Sequence, residues 1–127
     1  MAGVVRHWSE QDTASSHNTV GRNIFAERKD QTQPPAGEKR VVLGAGGLHA
    51  FHYLMLAPGM QQPPREREDK EHIIYIVSGH GKVSLDGEVT DVGPGDSIYV
   101  PPKCRHFLIN DGTDLLVHTL VTGMVKQ

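Results

Sequence analysis

Gly59-Met-Gln-Gln-Pro-Pro-Arg-Glu-Arg-Glu-Asp-Lys-Glu-His-Ile-Ile-Tyr-Ile-Val-Ser-Gly79 and Gly95-Asp-Ser-Ile-Tyr-Val-Pro-Pro-Lys-Cys-Arg-His-Phe-Leu-Ile-Asn110 are the two stretches that decide the reading of this chain. Each sets a histidine, His72 or His106, beside a short apolar strand and fences it with glycine and proline. Side chains on a strand alternate between two faces. Two such strands facing each other inside a small barrel bring their histidines together.

Working outward, the flanks also read as short strands separated by turns. Leu48 to Ala57 is a strand, with His49, Phe51, Tyr53 and Met55 on one face and His52, Leu54 and Leu56 on the other. Both faces are largely apolar, so the strand is covered on both sides. Asp86-Gly87 is a two-residue hairpin signal joining Lys82–Leu85 to Glu88–Val92. Leu115 to Val121 closes the sheet after the turn at Asn110–Thr113. Toward the N-terminus, Val4-Val5, Ile24-Phe25 and Arg40–Leu43 are short strand candidates. Ser9–Thr19 reads as irregular and Lys29–Lys39 as an exposed loop. Segments with a helical period are absent. About eight to ten short strands at this spacing make an all-β sandwich or barrel. Residues 1–40 are expected to form an N-terminal arm with short strands, and residues 41–127 the barrel core.

The 127 residues fit one domain. A net charge of −2 gives no reason to expect nucleic acid or an anionic membrane as partner. No apolar run approaches the roughly 20 residues of a membrane span. Cys104 is the only cysteine, so no internal disulfide forms, and a reducing, cytoplasmic setting is expected. The alternating apolar faces of Ile73–Val77 and Leu115–Val121 exceed what one barrel interior needs, which leads us to expect a homodimer.

Gly95, Pro101, His106 and Asn110 resemble the second motif of the cupin superfamily of small jelly-roll barrels, with Lys103 where that motif usually has glycine. Gly59, Gly79 and the strand Ile73–Ser78 resemble the first motif. The resemblance covers residues 59–110 and implies a single-domain cupin jelly roll. The first motif departs at the positions that carry chemistry. His72 stands where the family has glutamate, and the family's His-x-His pair is replaced by Glu66-x-Glu68 in one frame or Arg65-x-Arg67 in the other. Five residues between Gly59 and Arg65 favour the arginine frame, whereas the gap of the four-histidine cupins favours the glutamates.

The two frames imply different chemistry. Glu66, Glu68, His72 and His106 would suit a divalent cation, Fe(II), Mn(II) or Zn(II), which also removes the repulsion between the carboxylates. Arg65 and Arg67 would instead form a bidentate anion clamp that repels a metal. His118 and His52, mid-strand on apolar elements, are the candidate proton-moving groups. The leading expectation is a metal-dependent small-molecule enzyme of the cupin type, either dioxygenase, isomerase, lyase or cyclase. Its substrate would sit among Phe51 or Leu54, Ile74, Ile76, Leu108 and Leu116. The alternative is a metal-free cupin that holds a small anionic ligand through Arg65 and Arg67. A barrel kept as a structural or regulatory partner is the third.

Overall fold

The computed structural model describes residues 5–11, 13–16, 18–26 and 47–125. Their strands are β1 (Thr13–Ser16), β2 (Thr19–Ala26), β3 (Leu48–Leu56), β4 (Lys70–Ser78), β5 (Gly81–Leu85), β6 (Glu88–Val92), β7 (Ser97–Val100), β8 (His106–Ile109) and β9 (Leu116–Met124). They form two antiparallel sheets, one of six strands in the order β1-β2-β3-β9-β4-β7 and one of three in the order β6-β5-β8. A single turn of 3-10 helix, Trp8–Glu10, is the only helical piece among the described residues. The architecture is therefore all-β, two packed sheets as the strand spacing indicated, with the single-domain jelly-roll form that the cupin resemblance implies.

Alternation on β4 shows how the sequence builds the sandwich. His72, Ile74 and Ile76 are buried, whereas Ile73, Tyr75 and Val77 are exposed on the outer face of the larger sheet. On β9, Leu116, His118 and Thr122 are buried. Between the sheets lie Leu56, Ile74, Ile76, Val83, Ile98, Val100, Leu108 and Leu116, which fill one end of the barrel. Each such side chain contributes about 1.5–3 kcal/mol by leaving water.

Two features of the second motif explain its spacing. Asn110 is 1 % exposed. Its Nδ2 donates to the carbonyls of Leu56 and Asp114, both at 2.8 Å, and its Oδ1 accepts from Gly112 N at 3.0 Å. One amide thus ties the ends of β3, β8 and β9. Lys103, at the position where glycine is usual, has φ +67. This is left-handed backbone that a side chain adopts only at a cost.

Several expectations change near the N-terminus. Ser9–Thr19, expected to be irregular, contains β1, which pairs with β2 from Thr13↔Arg22 to Ser16↔Thr19. An edge strand needs no apolar alternation, so this polar segment carries no strand signal of its own. Val5 is exposed and outside any strand. Val4, Arg40–Leu43 and Lys29–Lys39 lie outside the described residues. β1 and β2, inside the expected arm, extend the larger sheet.

Candidate functional site

The end of the barrel not filled by the core encloses a cavity of about 250 Å³. Its wall on the larger sheet follows the strand register. His72 pairs with Thr122, which pairs with Ala50; Ile74 pairs with Leu120, which pairs with His52; Ile76 pairs with His118, which pairs with Leu54. The wall is thus layered, with His72 and Thr122 in one layer, Ile74 and Leu120 in the next, and His118 and Leu54 deepest. His106 and Leu108 of β8 face these layers from the smaller sheet, and His106 lies 5.3 Å from His72 between ring centroids. His49 also reaches the cavity although its parity differs from that of His52. A register shift between Leu48 and Ala50 allows both.

The segment ahead of β4 settles which frame faces inward. Residues 59–67 run antiparallel to the second motif. Arg65 N donates to His106 O at 3.0 Å and His106 N to Arg65 O at 2.8 Å, while Gln62 N donates to Leu108 O at 2.9 Å. Residues directly opposite across such a pair point to the same face. Because His106 points inward, so do Arg65 and, two residues on, Arg67, and both line the cavity together with Lys70. Glu66 and Glu68 take the other face and are exposed. The expected convergence of Glu66 and Glu68 with His72 and His106 is therefore not formed.

Hydrogen bonds fix the state of the imidazoles. His106 Nδ1–H donates to Cys104 O at 3.1 Å and His118 Nδ1–H to Leu116 O at 3.2 Å. A carbonyl only accepts, so both rings present an unprotonated Nε2. His72 Nδ1 shares a 3.0 Å bond with Thr122 Oγ1, and its buried Nε2 has no hydrogen-bond partner among the described residues, nor has the buried Nε of Arg65. Burial lowers the pKa of His72 to about 4, helped by His106, Arg65, Lys70 and Arg67. Burial also pushes His118 down to about 4, against a smaller opposing effect of its bond to Leu116. His106 is lowered too, chiefly by burial. Neutral imidazoles beneath a cationic rim are the result at neutral pH.

This donor set does not fit a divalent cation. No carboxylate lines the cavity, two guanidiniums and an ammonium do, and no three His, Cys, Asp or Glu side chains among the described residues are placed to hold an ion. Metal sites of Fe(II), Mn(II) or Zn(II) combine imidazole with carboxylate or thiolate, or gather three imidazoles, around one point.

Other candidates fall elsewhere. His52, His118, Leu54, Ile74 and Leu108 line the cavity as expected; Ile76 and Leu116 lie beneath it in the core, and Phe51 is on the opposite face of β3, paired with Val121. Cys104 is buried, and its thiol is raised mainly by burial, then by Asp86. Residues not anticipated include Lys70, Leu120, Thr122, Asn23 and Gln62. Gln62 Nε2 donates to Thr19 Oγ1 at 2.8 Å while its Oε1 accepts from Leu108 N at 3.0 Å, which closes the gap between β2 and β8. The cue to Lys70 was the parity it shares with His72 on one strand.

A jelly-roll barrel with one end packed and the other hollow defines the class: a small single-domain barrel with a lined interior cavity. Residues 52–122 match the cupin domain family, and the chain belongs to it. A predicted oxalate decarboxylase of Thermotoga maritima superposes with a TM-score of 0.77 at 18 % identity, over 96 % of this chain and 100 % of that one. The polyketide cyclase RemF of Streptomyces resistomycificus gives 0.68 at 20 % identity, over 99 % and 81 %. KdgF of a Halomonas species gives 0.70 at 20 % identity, over 96 % and 94 %. At these identities the likeness is one of fold, and the fold is one that proteins named as enzymes share. An uncharacterized protein of Methanocaldococcus jannaschii is 48 % identical over 42 residues, 33 % of this chain. The match spans about a third, 34 %, of that relative's length.

Proposed function

We propose that this cupin binds a small organic anion inside its barrel, clamped by Arg65 and Arg67, without a metal ion at the centre. The charge of the cavity wall supports this reading: Arg65, Arg67 and Lys70 line it and no carboxylate does. A guanidinium fork holds a carboxylate or phosphate through two parallel hydrogen bonds, each charge-assisted. The unpartnered Arg65 Nε and His72 Nε2 are buried polar atoms whose cost falls when a ligand bonds them. If the anion is also turned over, His118 and His52 are the imidazoles placed to move a proton, with His118 held in the accepting tautomer.

Calorimetric titration with inorganic phosphate and short organic acids at low salt tests the reading. Saturable binding is expected. It weakens as salt rises, and in the Arg65→Gln/Arg67→Gln variant it weakens roughly 100-fold, as the loss of two charge-assisted bonds requires. Elemental analysis of protein purified without added metal is expected to find well under one equivalent. One equivalent of a divalent metal whose removal abolishes ligand binding would overturn it.

We further propose that a second copy of the chain covers the outer face of the larger sheet, where Ile73, Tyr75, Val77 and Tyr99 are exposed. The face is six strands wide, with strands of four to nine residues, and covers roughly 700 Å² at about 4.8 by 3.3 Å per residue, close to the roughly 800 Å² per partner of a stable interface. Sedimentation is expected to show a dimer that Ile73→Lys/Tyr75→Lys converts to a monomer; a monomeric wild type would refute it.

A further inference from the structure

The layered wall goes further than a clamp, because its layers differ in chemistry. The outer layer is cationic and hydrogen-bonding. The middle layer places Ile74 and Leu120 opposite Leu108, with His52 beside Leu120 on β3, and the deepest ends on His118. From Thr122, level with His72, to His118 is four residues of one strand, about 14 Å at roughly 3.4 Å per residue. Resting on the anion-clamp reading, we propose that the ligand is an elongated amphipathic acid. Its carboxylate sits on Arg65 and Arg67, its flat apolar body lies between Ile74, Leu120 and Leu108, and a hydroxyl at its far end donates to Nε2 of His118. A hydroxylated aryl acid has this chemistry.

Each part of the ligand follows from a side chain. His118 is 1 % exposed, and its Nδ1–H is committed to the Leu116 carbonyl. Nε2 can then only accept, so the ligand atom meeting it must donate. A second carboxylate there would set acceptor against acceptor, far from the arginines, and would bury a charge without a partner. This excludes diacids of the same length. In the middle layer Ile74, Leu120 and Leu108 present aliphatic carbon and His52 the one polar group, so a charged group there would lose its water mostly to carbon, and the body between head and tail is apolar. The cavity of about 250 Å³ exceeds the roughly 150 Å³ that accommodates benzene in an apolar protein interior, leaving room for a ring with a short acidic arm.

Calorimetry with acetate, cinnamate and para-coumarate on the intact wild-type protein tests this without any variant. Affinity is expected to rise in that order, with para-coumarate bound roughly tenfold more tightly than cinnamate, the gain of one buried hydrogen bond. In His118→Leu the affinity for para-coumarate is expected to fall to that for cinnamate, and the binding of cinnamate itself shows that the variant is folded. Equal affinity for cinnamate and para-coumarate in the wild type would overturn the floor contact. Acetate or inorganic phosphate binding as tightly as cinnamate would overturn the amphipathic ligand while leaving the clamp standing. No binding of any of these probes, phosphate included, would sink the clamp as well.

Discussion

The two motif stretches lie side by side in the barrel, yet they answer to different demands. In Gly95–Asn110 the residues that match the family act on the backbone, His106 on the cavity wall excepted. Gly95 has φ +92, and Asn110 joins three strand ends through a fully used amide. In Gly59–Gly79 the ends again serve the backbone. Gly79 has φ +86, and a Cβ there would run into the Leu115 carbonyl. Its interior positions, however, face a cavity and make few bonds within the protein. Positions that close the chain on itself tolerate one residue type, because an alternative leaves a buried group unpaired. Positions that face a hollow carry no such demand, and here arginine stands where the resemblance implies a histidine pair.

Asn110→Ala puts that contrast to its hardest test. It removes two donors and an acceptor from a buried site and leaves the Leu56 and Asp114 carbonyls without their side-chain partner. Unpaired buried groups cost about 1–3 kcal/mol each, so a loss of about 3 kcal/mol or more is expected in urea denaturation. The fraction that stays folded should bind phosphate as the wild type does, because Asn110 is not on the cavity wall. A stable Asn110→Ala protein would erase the distinction between closing and facing positions.

Acid brings out the cavity side. Unfolded histidine takes up a proton near pH 6.5, whereas burial keeps native His118 neutral down to about 4, with its Leu116 bond as the only opposing influence. The unfolded state therefore binds the extra proton first, and stability falls as pH drops through this window. Between pH 7 and pH 5 His118 alone should account for about 2 kcal/mol of that fall. His72, also lowered to about 4, acts in the same direction. The decline measured by thermal denaturation should be shallower in His118→Leu by about that amount. An identical pH slope in the two proteins would mean that His118 is charged or open to water.

How much of this was legible follows the same division. The strands from Leu48 onward and the inward faces of β4 and β9 are written in alternation and in turn residues, which are local; the bond of Asn110 to Leu56, 54 positions away, is not. The choice between the glutamate and arginine frames is not local. Parity ahead of β4 is set by the pairing of Arg65 with His106, 41 positions away, and the bend at residues 68–69 breaks the alternation that would otherwise carry it back from His72. The five-residue spacing from Gly59 to Arg65 was the one cue in the correct direction, since both ends of that segment pair with β8 and its flank. β1 has no signal in the sequence because a polar edge strand owes its form to its partner. His52 and His49 share the cavity only through a bulge, which no side-chain pattern announces.

A smaller effect is expected where the second motif departs from its own rule. Lys103 holds φ +67, while Lys103 N donates to Arg67 O at 2.7 Å, so the strained residue anchors the arginine segment. Lys103→Gly relieves left-handed strain of about 1–2 kcal/mol and gives back about 0.4–1 kcal/mol in unfolded-chain entropy. The expected net gain of about 0.5–1 kcal/mol should appear as a rise in the denaturation midpoint with no change in phosphate affinity. A loss of stability would show that the lysine side chain, not the backbone, matters at this position.

The smallest expected effect is the most direct check on which frame serves the cavity. Glu66 and Glu68 are exposed and absent from the cavity wall, so Glu66→Gln/Glu68→Gln changes only the charge outside the site. Exposed charge changes of this kind shift stability by within about 0.5 kcal/mol. The loss of two negative charges beside the mouth should leave phosphate affinity unchanged or raise it slightly at low salt, with the increment vanishing at high salt. Arg65→Gln/Arg67→Gln, one position away on each count, should lose binding roughly 100-fold. Two double substitutions on alternate residues of one short segment then give opposite outcomes, and the sign of that difference reports which side of the strand faces the ligand. If the glutamine pair at 66 and 68 were the one to abolish binding, or to strip a bound cation, the parity set by His106 would be the wrong one, and the cavity would belong to the carboxylates after all.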